Sequence, residues 1–254
     1  YGWTMFFVIT SGSAATLAVA FTAYLDQIVP VTPVAAKIIA VLMIAAVAVI
    51  NVRGTKKGAS VQNWTTGFKV GAILVMSALL IVGDGGAEPG EFAGRVWPES
   101  VFSLSLLSGV GLAMLGVLWA YEGWQYVTFS AGEAKDAQRT FPRAIMLGTL
   151  ALIAIYVLAN VAYLVALGPE AAAASDSIAA DAMGALFGPT AAKLIAVAIL
   201  VSMFSAANGL TLTAPRVYYA MARDRIFFRQ LAEIHPTYGT PAIAIVTSSI
   251  WAML

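Results

Sequence analysis

The chain has 254 residues, is 60% hydrophobic and 11% charged, and carries a net charge of +1. That balance excludes an ordinary soluble domain, and the near-zero charge, with no basic stripe, gives no reason for a nucleic-acid partner. The absence of cysteine excludes disulfides and thiolate metal sites, and no metal or cofactor is expected.

In chain order, apolar stretches cover about 3–25, 35–52, 62–83, 101–130, 143–167, 190–222 and 240–254. Most exceed the roughly 18 residues that a spanning helix needs. They predict an all-α polytopic membrane protein, with residues 1–254 forming one transmembrane domain. The chain starts at Tyr1 inside the first stretch and stops at Leu254 inside the last, so it reads as an internal piece of a longer protein.

The first stretch contains Ser11-Gly12-Ser13-Ala14-Ala15, a small-residue run whose default meaning is close helix packing. The loops then alternate in charge. Arg53, Lys56 and Lys57 follow the second stretch, Lys135, Arg139 and Arg143 the fourth, and Arg216, Arg223, Arg225 and Arg229 the sixth. The other loops are acidic, with Asp26, Asp84, Glu88, Glu91, Glu99, Glu170, Asp176 and Asp181. By the positive-inside rule the basic loops are cytoplasmic, and the acidic loops at 84–100 and 168–189 are external. Asn63-Trp64-Thr65 matches the glycosylation triplet but sits beside a cytoplasmic cluster, so no modification is expected.

Lys69 lies about two turns into the third stretch. An ammonium there either snorkels to the interface or is buried to replace a metal cation or exchange a proton. The fourth stretch contains Trp119-Ala120-Tyr121-Glu122-Gly123-Trp124-Gln125. A carboxylate at that depth costs on the order of 2.5–3.5 kcal/mol and usually marks a pathway or site. Gly123 offers a place to unwind the helix, and the aromatics Trp119, Tyr121 and Trp124 are too deep for an interfacial belt and look like a gate. In the sixth stretch Phe204 and Asn208 share a face; the amide either bonds a neighbouring helix or faces a substrate. The single histidine, His235, is in a cytoplasmic loop, and no nucleophile–base pair lies at membrane depth, so the chain is not expected to be an enzyme.

Four segments resemble the amino acid–polyamine–organocation permeases, especially their L-type amino acid transporter and related bacterial branches. Trp119 to Gln125 is similar to the family's unwound sixth helix. Gly132 to Ile145, ending in Pro142-Arg143-Ala144-Ile145, is similar to the cytoplasmic loop after it. Ser205 to Gly209 with Arg216 to Asp224 resembles the eighth helix and its exit, and His235 to Ile243 the entry to the ninth. The resemblance covers essentially the whole chain, as about the third to ninth helices. It implies part of the leucine-transporter-type fold, two inverted five-helix repeats with substrate between broken first and sixth helices.

The resemblance also implies roles. Trp119 gates the substrate, and the carbonyls of Trp119, Ala120 and Glu122 receive its α-ammonium, with Tyr121, Gly123 and Trp124 completing the break. Phe204 and Asn208 line the side-chain pocket, with Ile9 and Ser13 facing it. Lys69 falls on a fifth-helix lysine that, in sodium-independent members, stands where sodium binds in relatives. Three departures occur: Trp119 replaces the commoner Phe, Gln125 replaces Asn, and Ile226-Phe227-Phe228 replaces the usual Gly-x-Leu-Pro, a change expected to affect only its loop.

The implied function is secondary active transport of amino acids or related amines by alternating access, sodium-independent, by proton coupling or exchange. The expected place is a bilayer, as a multi-pass protein of the bacterial inner membrane; oligomeric state is not readable. The alternatives are a polyamine or organocation antiporter of the same fold and, from another class, a retinal-binding seven-helix photoreceptor. Against the latter, Lys69 is in the third stretch rather than the last, and the Glu122 break has no role there.

Overall fold

The computed structural model describes residues 1–83, 104–134 and 136–254. The acidic loop 84–100, the start of the 101–130 stretch and Lys135 lie outside these. Among the described residues the structure is helical with no strand, and six helices are long and apolar enough to cross a membrane. The protein is an all-α polytopic membrane protein. It divides into two compact units, Tyr1–Val75 with Phe187–Leu254, and Met76–Leu186.

In the first unit, α1 spans Gly2–Asp26 and contains a π-helical turn at Met5–Thr10. The widened turn shifts the backbone register, and the Ser11 hydroxyl donates to the Phe6 carbonyl five residues back at 2.6 Å. Helix α2 spans Pro33–Val52. Proline opens it, and Thr32 caps it by accepting from the Ala35 N–H at 3.3 Å. Gly54, with φ of 139°, turns the chain into α3, Thr55–Val82, of which this unit holds the part up to Val75; it starts seven residues before the expected 62. The added turns are polar, and helix continues through them because their residues are tolerated at a solvated end.

Helix α1 packs on α2, on α7 (Pro189–Thr213) and on α9 (Ala242–Met253). Ala14 and Ala18, four apart, put one small face against Met43, Ile44, Val47, Ala207 and Ala252. With no large side chain there, the backbones can approach closely, which replaces the hydrophobic driving force lost in lipid. After α7 the chain passes through Ala214, which keeps helical dihedrals, and continues as α8, Pro215–Arg223. The Thr240 hydroxyl closes the end of α2 by donating to the Val52 carbonyl at 2.8 Å.

In the second unit, α4 spans Leu104–Ala120, followed by a turn and a 3₁₀ segment at Trp124–Glu133. Helix α5, Ala137–Ala174, consists of two helices meeting at Gly168, where φ is 76° and Pro169 follows. Gly168 reaches that dihedral without Cβ strain, and proline disfavours helix in the residue before it. This explains why the apolar stretch ended near 167.

The region 168–189 differs from the expected external loop. It contains the last turn and a half of α5 and a further apolar helix, α6, at Ile178–Phe187. Alanine-rich sequence favours helix even between acids. Ser175 receives the Ser177 N–H at 3.1 Å and donates to Asp181 at 2.5 Å, tying the turn to the first turn of α6.

Candidate functional site

The residues singled out above fall into two groups. Trp119, Ala120, Tyr121, Glu122, Gly123 and Trp124 belong to the second unit, whereas Ile9, Ser13, Lys69, Phe204 and Asn208 belong to the first.

In the second unit the helix break stands where the carboxylate and glycine suggested. Helix α4 stops at Ala120, and Tyr121, Glu122 and Gly123 form a turn. Gly123 has φ of 111°, a dihedral that an L side chain rarely adopts. The end of α4 presents carbonyls with partial negative charge, suited to a cation. Two of the three carbonyls implicated by resemblance are partly used. That of Trp119 accepts from the Glu122 N–H at 3.2 Å, and that of Ala120 from the Tyr156 hydroxyl at 3.0 Å. A carbonyl has two lone pairs, and each of these bonds uses one of them.

Glu122 is exposed, and its Oε1 accepts from Gln125 Nε2 at 2.6 Å and from the Tyr126 hydroxyl at 3.0 Å. Gln125 Oε1 in turn accepts the Gly123 N–H at 3.2 Å. The carboxylate therefore braces the first 3₁₀ turn, and Gln125 holds the glycine. Trp119 and Trp124 are 60% and 64% exposed, so neither ring is used as packing in this unit.

Tyr156 escaped the sequence reading. It sits deep in the 143–167 stretch, on α5, too far in for an interfacial aromatic, and that depth was the available signal. Its ring meets Tyr121 edge-on at 5.3 Å while its hydroxyl holds Ala120. Tyr156→Phe keeps the ring and removes the donor. Such a bond is worth about 0.5–1.5 kcal/mol, so the loosened break is expected to weaken substrate affinity of the full-length protein by roughly two- to tenfold. Melting temperature should fall by no more than a few degrees. Binding equal to the parent would show that the hydroxyl does not position the break.

In the first unit Asn208 is fully buried. Its Nδ2 donates to the Gly58 carbonyl at 3.1 Å and to Gln62 Oε1 at 3.0 Å, and its Oδ1 accepts from Asn51 Nδ2 at 2.9 Å. Asn51 also donates to the Val47 carbonyl at 2.9 Å. Ser205, one turn before Asn208, meets Thr65 at 2.8 Å and Gln62 at 3.3 Å. One network therefore joins the end of α2, the start of α3 and α7. Gly58 is required by it, because a Cβ there would stand 2.3 Å from Asn51 Oδ1 and 3.0 Å from Leu212. Asn51, Gly58 and Gln62 lie near expected loop ends, where polar residues are ordinary, and nothing in the spacing marks a partner about 150 residues away.

Phe204 is half-buried and packs on the core cluster. Ile9 is exposed within the π-helical turn, and Ser13 is half-buried on α1. Lys69 is half-buried on α3. It lies seven residues after Gln62 and four after Thr65, so it shares the helix face that carries the network. A cavity of about 20 Å³ within this unit is lined by Thr10, Ser11, Thr211, Ser248 and Ser249 among others. That volume suits one water, far below the roughly 300 Å³ of a small-ligand pocket.

The whole chain, residues 1–254, matches the family described as amino acid permease. It is similar to the serine/threonine exchanger SteT of Bacillus subtilis, with 34% identity over 212 residues, 82% of this chain and 46% of that protein. It is also similar to the b(0,+)-type amino acid transporter 1 of Oryctolagus cuniculus, with 27% identity covering 100% of this chain and 52% of the relative. The large neutral amino acids transporter small subunit 2 of Homo sapiens is 27% identical, covering 99% and 48%. The chain thus spans about half the length of the curated relatives it matches.

Proposed function

Because this chain belongs to the amino acid permease family, we propose that it is the central part of a secondary transporter that moves neutral amino acids by alternating access, without sodium. The observation that carries the reading is the broken helix at Tyr121–Gly123, with carbonyls at the end of α4 held in place by Tyr156. A helix interrupted at membrane depth, with its polar groups turned to a ligand, suits the α-ammonium that all amino acids share. Trp119 supplies an exposed aromatic lid beside it.

Neutral substrates are favoured over polyamines and other organocations, because Glu122 is engaged by Gln125 and Tyr126. Its charge stabilises the 3₁₀ turn and is not set aside for a second ammonium. Exchange is favoured by the similarity to SteT, a serine/threonine exchanger. Asn208 acts in this reading as a positioning residue: its three hydrogen bonds hold α7 to α2 and α3, while Phe204, Ile9 and Ser13 remain the candidates for side-chain contact. Lys69 stands in for a coupling cation. The protein works in the bacterial inner membrane.

The test is uptake of labelled serine and leucine by the full-length protein in proteoliposomes preloaded with unlabelled amino acid. Replacing sodium by choline is expected to leave the rate unchanged, and empty vesicles should take up far less than loaded ones. A strict sodium requirement would overturn the role given to Lys69. Competition by a diamine but not by leucine would favour the organocation antiporter.

A further inference from the structure

The turn that leaves α8 is closed by two backbone bonds, Ile226 N–H to the Met221 carbonyl at 3.1 Å and Arg225 N–H to the Ala222 carbonyl at 3.2 Å. This cap places Arg225 in the left-handed region, with φ of 61°. Glycine is the usual residue there, since a Cβ is penalised. An arginine keeps the strain and puts a guanidinium at the tip of the turn.

The tip is rigidly mounted. The change at Ile226-Phe227-Phe228 is not confined to the loop, because Phe227 is buried. Its ring meets Trp3 at 4.4 Å, Phe6 at 5.3 Å and Tyr218 at 6.5 Å, which ties the turn to α1 and α8. On either side of this plug Ile226 and Phe228 are 60% and 50% exposed. Arg223, Arg225 and Arg229 are exposed with them, and Asp224 is the one acid between Arg223 and Arg229. The segment follows directly on a helix long and apolar enough to span, Pro189–Arg223, and leads to the apolar α9. It therefore lies at the bilayer surface, where an isoleucine and a phenylalanine between arginines have apolar surface to enter.

We propose that the Arg223–Arg229 turn binds the headgroups of anionic phospholipids. The three arginines meet phosphate, and Ile226 and Phe228 enter the boundary with the acyl chains. Each basic residue near an anionic surface adds about fivefold in affinity, and arginine suits phosphate better than lysine because its planar donors pair bidentately. The site is independent of which substrate is carried.

Arg225→Gly separates binding from folding, because it removes the charge while relieving the backbone. The measurement is the melting temperature of the full-length protein in nanodiscs of phosphatidylcholine, with and without phosphatidylglycerol, together with lipid retained in native mass spectrometry. The parent is expected to gain melting temperature and retain phosphatidylglycerol. Arg225→Gly should melt about 1–2 °C higher than the parent in the neutral lipid, yet lose part of the gain from the anionic one. The variant carrying Arg223→Gln, Arg225→Gly and Arg229→Gln should lose it all. An undiminished gain in Arg225→Gly and in the triple variant would overturn the site. An equal gain from inorganic phosphate added to neutral nanodiscs would overturn the lipid assignment.

Discussion

Replacing Asn208 by leucine is expected to cost the full-length protein much of its stability, not merely its affinity. The side chain is fully buried and makes three hydrogen bonds, to Gly58, Gln62 and Asn51. Leucine is close in size but takes from two acceptors and one donor the bond each makes to Asn208, and Asn51 keeps only its bond to the Val47 carbonyl. Each buried orphan costs about 1–3 kcal/mol by soluble-protein measure, while single interhelical bonds in membranes average about 0.6 and reach about 1.7 kcal/mol. The sum is on the order of 2–5 kcal/mol, a large share of a typical stability of about 5–15 kcal/mol. The check is size-exclusion behaviour and melting temperature in detergent. Removing both amides, with Asn51→Leu and Asn208→Leu together, should cost less than the two single changes added, because the Asn51 donor no longer lacks its acceptor. A leucine variant that melts like the parent and loses only substrate affinity would return Asn208 to the pocket wall.

The case of Asn208 shows what a single sequence conveys and where it stops. Length and apolarity are local properties, so helices of membrane length were readable, and the Glu122–Gly123 break stood out as a local contradiction within one apolar stretch. At Gly168 and Pro169 the apolar run stops, which reads as the start of a loop, whereas the chain bends there and continues as helix. Partnership between helices has no such local mark. Asn208 and Phe204 share a face in sequence, yet the amide is taken up by Asn51 and Gln62 while the ring packs on the apolar core cluster. Phe227 read as a loop residue because its neighbours are charged, and only the fold supplies Trp3 and Phe6 to enclose it. The small residues of α1 carried a usable signal, since Ala14 and Ala18 do form the close-packed face that such runs suggest. The helix in 168–189 was hidden by its acids, which outweighed alanine in the reading of that segment as a loop.

Lys69→Ala is expected to produce the largest loss of transport, about tenfold or more in net uptake, with substrate binding partly retained. Lys69 is carried on the α3 face that presents Gln62 and Thr65 to α7. Among the described residues the other cations lie between helices or within about two turns of a helix end, as Lys37 and Lys193 do, and Lys69 stands deeper in its helix, where a charge is costly unless it is used. A protonated and a neutral lysine differ by one full charge, which neighbouring charges and dipoles feel more strongly away from water. If the two faces of the transport cycle hold that proton with different affinity, its presence biases one over the other. Removing the side chain erases the bias, whereas Lys69→Arg fixes it, because a guanidinium stays charged at every working pH. Uptake by the parent should therefore vary with external pH, uptake by the arginine variant should be low and flat, and the alanine variant should bind substrate without accumulating it. The variants should melt near the parent, which distinguishes this effect from the collapse expected on replacing Asn208. Identical rates and pH profiles in all three proteins would leave Lys69 as a side chain that merely reaches the membrane surface.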